Sequence, residues 1–227
     1  MTVNEIIDLA TASGRRLLFA DEAATLLKAV GIPVVPCRVA QDEQEAVRAA
    51  AAIGYPVALK VRSPEIVHKS EAGGVCLGLV DESAVRNAYR QIIDRARTVD
   101  QSAQVTVHPM VPPGVELLIG MITDAQFGQV VAFGLGGIFV EMLDDITFRQ
   151  VPLLEKDALD MLESIKGCAI LKGYRGSKPV DTNAISEIIL SISKLVQHYP
   201  RIREIDLNPV FAYPDGVLVI DARVIVF

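Results

Sequence analysis

The sequence has no run of about 18 uncharged apolar residues, the length that a membrane-spanning helix needs. Its opening stretch, MTVNEIIDLATASGRR, carries acidic residues early and has no apolar segment of signal-peptide length. These two absences predict a soluble protein that is not exported.

Cysteine and histidine are also scarce, with three of each in 227 residues. Cys37, Cys76 and Cys168 lie among apolar neighbours without the spacing of metal ligands, and an odd number of cysteines does not suit a disulfide framework. No Ser/His/Asp order indicates a catalytic triad. We therefore expect reduced thiols and a cytoplasmic protein.

Positive charge is in deficit, because the formal net charge is −6 and no basic cluster exceeds two residues. A chain of this kind has little to neutralise nucleic-acid phosphates or to hold an anionic membrane surface, so neither is an expected partner. About half of the residues (51%) are apolar. That is enough to form the core of one large domain or of two modest ones.

Gly and Pro divide the chain into an α/β alternation. The stretch ADEAATLLKAVGIPVVP predicts a helix that ends at Gly31 and a strand through Val34 and Val35, and QDEQEAVRAAAAIGYPVALKV repeats that pattern. Near Val105 the sequence becomes richer in strand patterns. We predict two α+β lobes, residues 21–104 and 105–227, with a helix in residues 1–20 that packs on either, and a small-ligand cleft between the lobes.

The end of the chain carries the sharpest chemical pattern. In an extended strand Glu204, Asp206 and Asn208 share a face. If Pro214 to Gly216 form a turn, Asn208 lies level with Asp221 or its neighbour on the returning strand. An amide facing a carboxylate forms half of a site for a hard cation such as Mg²⁺, whereas a solvated strand face is the alternative.

Lys60 is the second candidate, since it stands in the apolar strand pattern PVALKV. A lysine in such a run either extends its ammonium to water or is directed at an anion. The sequence leaves both interpretations open.

The loop HKSEAGGV is the third candidate. His68 offers an imidazole, a group that titrates near neutrality and can attack a phosphoryl group when neutral, and Gly73 and Gly74 allow close approach to phosphate or a pivot of the loop. A solvated histidine in a turn is the alternative. Two other Gly-rich stretches, FGLGGIFVE and LKGYRGSKPVD, are interpreted as tight turns beside a cleft.

The strand lysine, the His-Lys-x-x-x-Gly-Gly-Val loop, FGLGGIFVE, GYRG and EIDLNP occur in that order from about Phe19 to Val224. In this combination the chain resembles the β subunit of the ADP-forming acetyl-CoA (acyl-CoA) synthetases and, more distantly, that of succinyl-CoA synthetase. The resemblance implies an ATP-grasp fold, in which two lobes hold a nucleotide between them.

The resemblance also implies roles for individual residues. Lys60 matches a lysine that contacts the nucleotide phosphates, and His68 matches a histidine on a mobile loop that becomes phosphorylated. Asn208 and Asp221 match the Mg²⁺ ligands, and Asp206 matches a nearby acidic residue. His108 stands where the family tends to carry Gln or Glu. The segment along the adenine, together with the acidic residue beyond it, comprises Val107, His108, Pro109, Met110, Val111 and Glu116.

The implied function is that of a nucleotide-binding subunit of an acid–thiol ligase, with Mg²⁺ as cofactor and ATP or ADP as substrate. A phosphoryl group passes between the nucleotide and His68, and the implied partner is a CoA-binding α subunit in a hetero-oligomer. Two alternatives stay open: a self-contained ATP-grasp ligase that makes an acyl phosphate, and a nucleotide-binding regulatory module without turnover.

Overall fold

The computed structural model describes residues 1–66, 69–137, 145–174 and 176–227. Within these ranges the chain is a mixed α/β protein, as the sequence predicts, and it divides into two compact units. Helices and strands follow one another as α1 (Val3–Ala12), α2 (Ala20–Ala29), β1 (Arg38–Ala40), α3 (Glu43–Ile53), β2 (Val57–Arg62), β3 (Val75–Leu79), α4 (Glu82–Ala96), β4 (Gln104–Pro109), β5 (Val115–Asp124), β6 (Gly128–Leu135), β7 (Ile146–Gln150), α5 (Glu155–Ser164), α6 (Cys168–Leu171), α7 (Thr182–His198), β8 (Ile202–Tyr213), β9 (Gly216–Val219) and β10 (Ala222–Val226). Across the described ranges, no helix is both long and apolar enough to cross a bilayer.

The smaller unit comprises residues 19–24 and 35–112. Its antiparallel sheet has the strand order β1-β4-β2-β3. One face of this sheet packs against α3 and α4, whose capping residues Asp42 and Asp81 accept backbone hydrogen bonds in the first helical turn. The core between sheet and helices contains Leu59, Val107 and Ile92, each with no exposed surface. The opposite face of β2 and β4 is therefore left for polar side chains.

The larger unit comprises residues 1–18, 25–34 and 113–227. Its sheet has the order β10-β8-β5-β6-β7, and β9 pairs with the far end of β8. Buried residues alternate along the long strands, as in Ile119 and Met121 of β5, while Ile188 and Ile189 of α7 are also buried. The other face of this sheet carries the polar residues of β8.

The unit boundary differs from the predicted lobe boundary at Val105. β4 is hydrogen-bonded on one side to β1 and on the other to β2, so residues 104–109 belong to the smaller sheet, and the division falls between Pro112 and Pro113. The first 18 residues belong to the larger unit. The helix α2 contributes residues to both units, because residues 19–24 group with one and residues 25–34 with the other.

Local predictions are mostly confirmed, including the helix that ends at Gly31, the strand at Val57 and the closing hairpin. The predicted strand through Val34 and Val35 is wrong, since Val34 forms only an isolated bridge with Val219. Pro33 and Pro36 flank this pair, and a proline has no N–H to extend a ladder.

Candidate active site

The closing hairpin brings Asn208 and Asp221 together, as the sequence predicts. The backbone N–H of Asn208 donates to the Asp221 carbonyl at 3.2 Å. The register is the same on both sides of the pair, with Leu207 opposite Ala222 and Val210 opposite Val219. The turn at Pro214 to Gly216 therefore aligns an amide with a carboxylate across two strands.

Asp206 and Glu204 lie on the same side of β8 as Asn208, away from the core. Ile205 and Leu207, which alternate with them, are buried. Against β5 the register shifts by one residue between Leu207 and Val210, so that a β-bulge includes Asn208 and Pro209. Bulges redirect side chains and are frequent beside active sites.

Negative charge dominates this part of the sheet. Burial raises the pKa of Asp206, the guanidinium of Arg223 opposes that rise, and the carboxylates of Glu204 and Asp221 add to it. Half-buried carboxylates that repel one another gain from a bound cation. The oxygen atoms of Asp206, Asn208 and Asp221 are the donors that Mg²⁺ prefers, and Mg²⁺ commonly takes few protein ligands beside phosphate and water.

The residues here fit a hard cation and do not fit a zinc-type site. In the part of the chain that the structure describes, no group of three or more His, Cys, Asp or Glu side chains is arranged to hold a metal ion. The amide of Asn208 supplies the third oxygen donor in this cluster. The expected ion is therefore one, such as Mg²⁺, that binds an amide oxygen and completes its coordination shell with phosphate and water oxygens.

Lys60 lies on the face of β2 that is opposite the helices. It stands across from Thr106 of β4, and its neighbour Ala58 stands across from His108. The Thr106 hydroxyl donates to the Lys60 carbonyl at 3.3 Å, and His108 Nε2 lies 2.9 Å from Thr106 Oγ1. Because Lys60 is only 9% exposed, the side chain does not extend freely into water. This burial favours the interpretation of Lys60 as an anion-binding residue.

The predicted adenine segment does not present every side chain equally. Val107 is buried in the core of the smaller unit, so its side chain is not available to a ligand, whereas His108 is buried on the opposite face with Lys60. Beyond Pro109, the N–H of Met110 donates to the Pro56 carbonyl at 3.1 Å. Met110 is exposed, and Pro109 and Val111 are half-buried.

Glu116 is the second residue of β5 and is exposed. The N–H of Gly136 donates to its carbonyl at 2.7 Å, and a Cβ atom on Gly137 would lie 2.5 Å from its Oε2. Gly136 and Gly137 of the stretch FGLGGIFVE thus leave room for Glu116, and Gly137 lies beside its carboxylate. The remainder of that loop, residues 138–144 with Glu141, and Arg175 of the loop GYRG lie outside the described residues.

Gly73 and Gly74 close a turn. Their N–H groups donate to the carbonyls of Ser70 at 3.0 Å and Lys69 at 2.7 Å, so both are occupied within the protein. A Cβ atom on Gly74 would lie 2.5 Å from Val61 Cγ1. In this arrangement the glycines permit close packing rather than offer free donors to a phosphate. His68 lies outside the described residues, and its role stays a prediction.

Arg223 is a residue of this region that the sequence analysis did not identify. It is the cross-strand partner of Asp206, and it stands two residues after Asp221. The same alternation that groups Asp206 with Asn208 predicts that Asp221 and Arg223 share a face.

A surface cavity of about 570 Å³ on the larger unit, lined by Leu159, Cys168 and other residues of α5 and α6, includes none of the predicted site residues.

Comparison with known proteins agrees with this geometry. Residues 9–226 match the model of the ATP-grasp domain family. The chain is 46% identical over 224 residues to the β subunit of an ADP-forming acetate–CoA ligase I from Pyrococcus furiosus, covering 97% of this chain and 96% of the relative. It is 40% identical to an ADP-forming 4-hydroxybutyrate–CoA ligase from Nitrosopumilus maritimus, with 97% of this chain aligned to 32% of that longer protein.

Solved structures give the same result. An acetyl-coenzyme A synthetase from Ca. Korarchaeum cryptofilum, in complex with coenzyme A and Ca-AMPCP, superposes with a TM-score of 0.93 at 43% identity, and 99% of each chain is covered. Another structure of that synthetase contains Mg-AMPPCP and a phosphohistidine segment directed towards the nucleotide site; its TM-score is 0.87, at 42% identity, with 99% of this chain and 100% of the other covered. The fold and the match define an ATP-grasp protein. The chain belongs, within that class, to the family of the β subunits of ADP-forming acetate–CoA ligases.

Proposed function

We propose that this chain is the nucleotide-binding subunit of an ADP-forming acyl-CoA ligase. The overall reaction converts acyl-CoA, ADP and phosphate to the free acid, CoA and ATP, and it is reversible. Membership of the β-subunit family supports this activity. The single observation in the structure that carries it is the alignment of Asn208 with Asp221 beside Asp206.

Three side chains of the hairpin are proposed to hold Mg²⁺, namely Asn208, Asp221 and Asp206. The ion supplies charge neutralisation of the nucleotide phosphates when it is bound. Lys60 adds a further positive charge for the phosphates, from a buried strand position in which its ammonium is weakly screened by water. Phosphoryl transfer depends mainly on this positioning and neutralisation.

His68 is the proposed acceptor of the phosphoryl group. An imidazole nitrogen forms a bond to the γ-phosphorus of ATP while the bond from that phosphorus to the bridging oxygen breaks, which releases ADP. The phosphohistidine segment in the Ca. Korarchaeum cryptofilum structure supports this assignment. We propose that a CoA-binding α subunit then receives the group, because the relatives include a protein described as a β subunit.

Incubation of the chain with ATP labelled in the γ-phosphate tests the proposal. We expect an acid-labile, base-stable phosphoprotein that requires Mg²⁺ and disappears in His68→Ala. His198→Ala is a matched control, because His198 is an exposed residue whose Nδ1 lies 2.7 Å from the Lys194 carbonyl at the end of α7.

Label that persists in His68→Ala would contradict the relay. If the wild-type chain is stabilised thermally by nucleotide and never acquires label, the chain is a nucleotide-binding module without turnover.

A further inference from the structure

Arg223 lies on the face of β8 and β10 that carries Asp206 and Asn208, and the proposed function gives it no role. It stands opposite Asp206 in the β8–β10 ladder, and side chains of such cross-strand partners lie on the same side of a sheet. Its Nε atom is buried and has no hydrogen-bond partner among the described residues. A buried guanidinium N–H without an acceptor destabilises the folded state, so Arg223 Nε–H needs an acceptor that this arrangement of side chains does not provide.

Among the cross-strand partners of Asp206, only Arg223 has a side chain that could orient its carboxylate. Asp206 has two cross-strand partners, Gly120 on β5 and Arg223 on β10. Since Gly120 has no side chain, it offers nothing that could orient the carboxylate. The other charged groups that act on Asp206 are the carboxylates of Glu204 and Asp221, which repel it.

We propose that Arg223 is a positioning residue for Asp206, an inference that rests on the proposed magnesium site. In the proposed ion-bound state, this unpartnered Nε–H donates to the Asp206 carboxylate and holds that carboxylate oriented towards the ion bound with Asn208 and Asp221. Carboxylates that bind metals are usually hydrogen-bonded themselves, and the loss of such a partner typically lowers metal affinity by about 10- to 100-fold.

An arginine suits this role better than a lysine does. The guanidinium is planar and always charged, and it combines an Nε donor with further donors in a rigid fork that matches a carboxylate. Arg203 on β8 provides a contrast, because it is exposed and its guanidinium lies 5.1 Å from the centre of the Phe227 ring.

Calorimetric titration of the full chain with ADP, over a series of free Mg²⁺ concentrations and in EDTA, tests the inference. In Arg223→Met we expect the Mg²⁺ concentration for half-maximal ADP binding to rise by about 10- to 100-fold, with unchanged ADP affinity in EDTA. Arg223→Lys should recover part of the loss. Arg203→Met, which removes the same charge from the neighbouring strand, should leave the Mg²⁺ requirement unchanged.

The combination with Asp206→Asn decides whether Arg223 acts through Asp206. In the Asp206→Asn background, Arg223→Met should add little further loss, because the group that it orients is already altered. Additive losses, or a loss of ADP affinity in EDTA, overturn the inference in favour of a direct phosphate contact.

The thermal midpoint of each unliganded variant shows whether it is folded. If Arg223→Met is not folded, the Mg²⁺ requirement of Arg223→Lys is compared with that of the wild type instead. A wild-type chain whose ADP binding is independent of Mg²⁺ overturns the metal site itself. If ADP binding by the wild type depends on Mg²⁺ and Arg223→Met has the same Mg²⁺ requirement, only the role of Arg223 is overturned.

Discussion

Arg62 donates two hydrogen bonds to the carboxylate of Asp21, from Nε at 2.8 Å and from Nη2 at 3.1 Å. The same guanidinium donates to the Gln104 side chain at 3.0 Å and lies 3.7 Å from the centre of the Phe19 ring. This group of contacts attaches the start of α2 to the end of β2, the strand that carries Lys60. It explains why residues 19–24 belong to the smaller unit.

Arg62→Met should therefore destabilise the protein by about 1–3 kcal/mol, because it leaves a partly buried carboxylate without its bidentate partner. Urea unfolding of Arg62→Met, Asp21→Asn and the double variant measures the coupling between the two residues. The control is Arg201→Met, which breaks a more exposed pair with Asp8 and should cost no more than about 1 kcal/mol. Equal losses for both pairs would show that the Asp21 contact has no special strength.

Lys60→Met should change ADP affinity more than it changes stability. The replacement keeps a side chain of similar length at the buried position and removes the desolvation cost of the ammonium, so the free energy of unfolding should change little. ADP affinity should fall, because the phosphates lose a cation. Calorimetry with ADP and urea unfolding measure the two quantities, and a variant that loses stability but keeps its affinity would assign Lys60 a structural role.

Stability should depend on pH through Glu43. This carboxylate accepts hydrogen bonds from Arg90 at 2.6 and 3.0 Å and from Arg86 at 2.8 Å, which lower its pKa from 4.5 to about 2. A carboxyl whose pKa is lower in the folded state stabilises the protein fully above its unfolded pKa, and this contribution disappears as the pH falls towards the folded value.

Glu43→Gln should accordingly lower the melting temperature at pH 7, and its difference from the wild type should narrow between about pH 5 and pH 2. Glu163→Gln is the control, because Glu163 Oε1 lies 3.6 Å from Lys172 Nζ in an exposed pair. Melting curves at several pH values check the prediction. A difference in melting temperature between Glu43→Gln and the wild type that stays constant over that range would contradict it.

Gly74→Ala should destabilise the protein by about 1–3 kcal/mol through overpacking against Val61. If that contact is the cause, Val61→Ala should relieve it, so the double variant should be more stable than the sum of the single losses predicts. Urea unfolding of the four proteins measures the coupling. Strict additivity would indicate that Gly74 is required for another reason, such as movement of the loop.

Much of the local structure could be predicted from the sequence because it depends on short-range chemistry. Asp42 caps α3 and Gly54 ends it at a positive φ of 94°, which glycine adopts without strain. The turn at Pro214 to Gly216 sets the register of the hairpin, and that register alone aligns Asn208 with Asp221. The candidate metal ligands could therefore be identified before any tertiary information.

Other features depend on contacts between distant parts of the chain. The membership of β4 in the smaller sheet follows from its pairing with two strands that lie far away in sequence, and no local pattern near Val105 contains that information. The sequence does not show whether Gly73 and Gly74 serve as a pivot or allow close packing. Only the positions of Arg95 and Val61 in the structure distinguish these two roles.

The sequence by itself determined the α/β class, the main helices and strands, and the alignment of Asn208 with Asp221 in the closing hairpin, because periodicity, caps and turns act over a few residues. Only the tertiary structure decided which face Lys60 occupies, that Val107 is in the core, and that Arg223 stands beside Asp206 with a buried donor. Those facts depend on sheet order and burial, which arise when segments remote in sequence pack together.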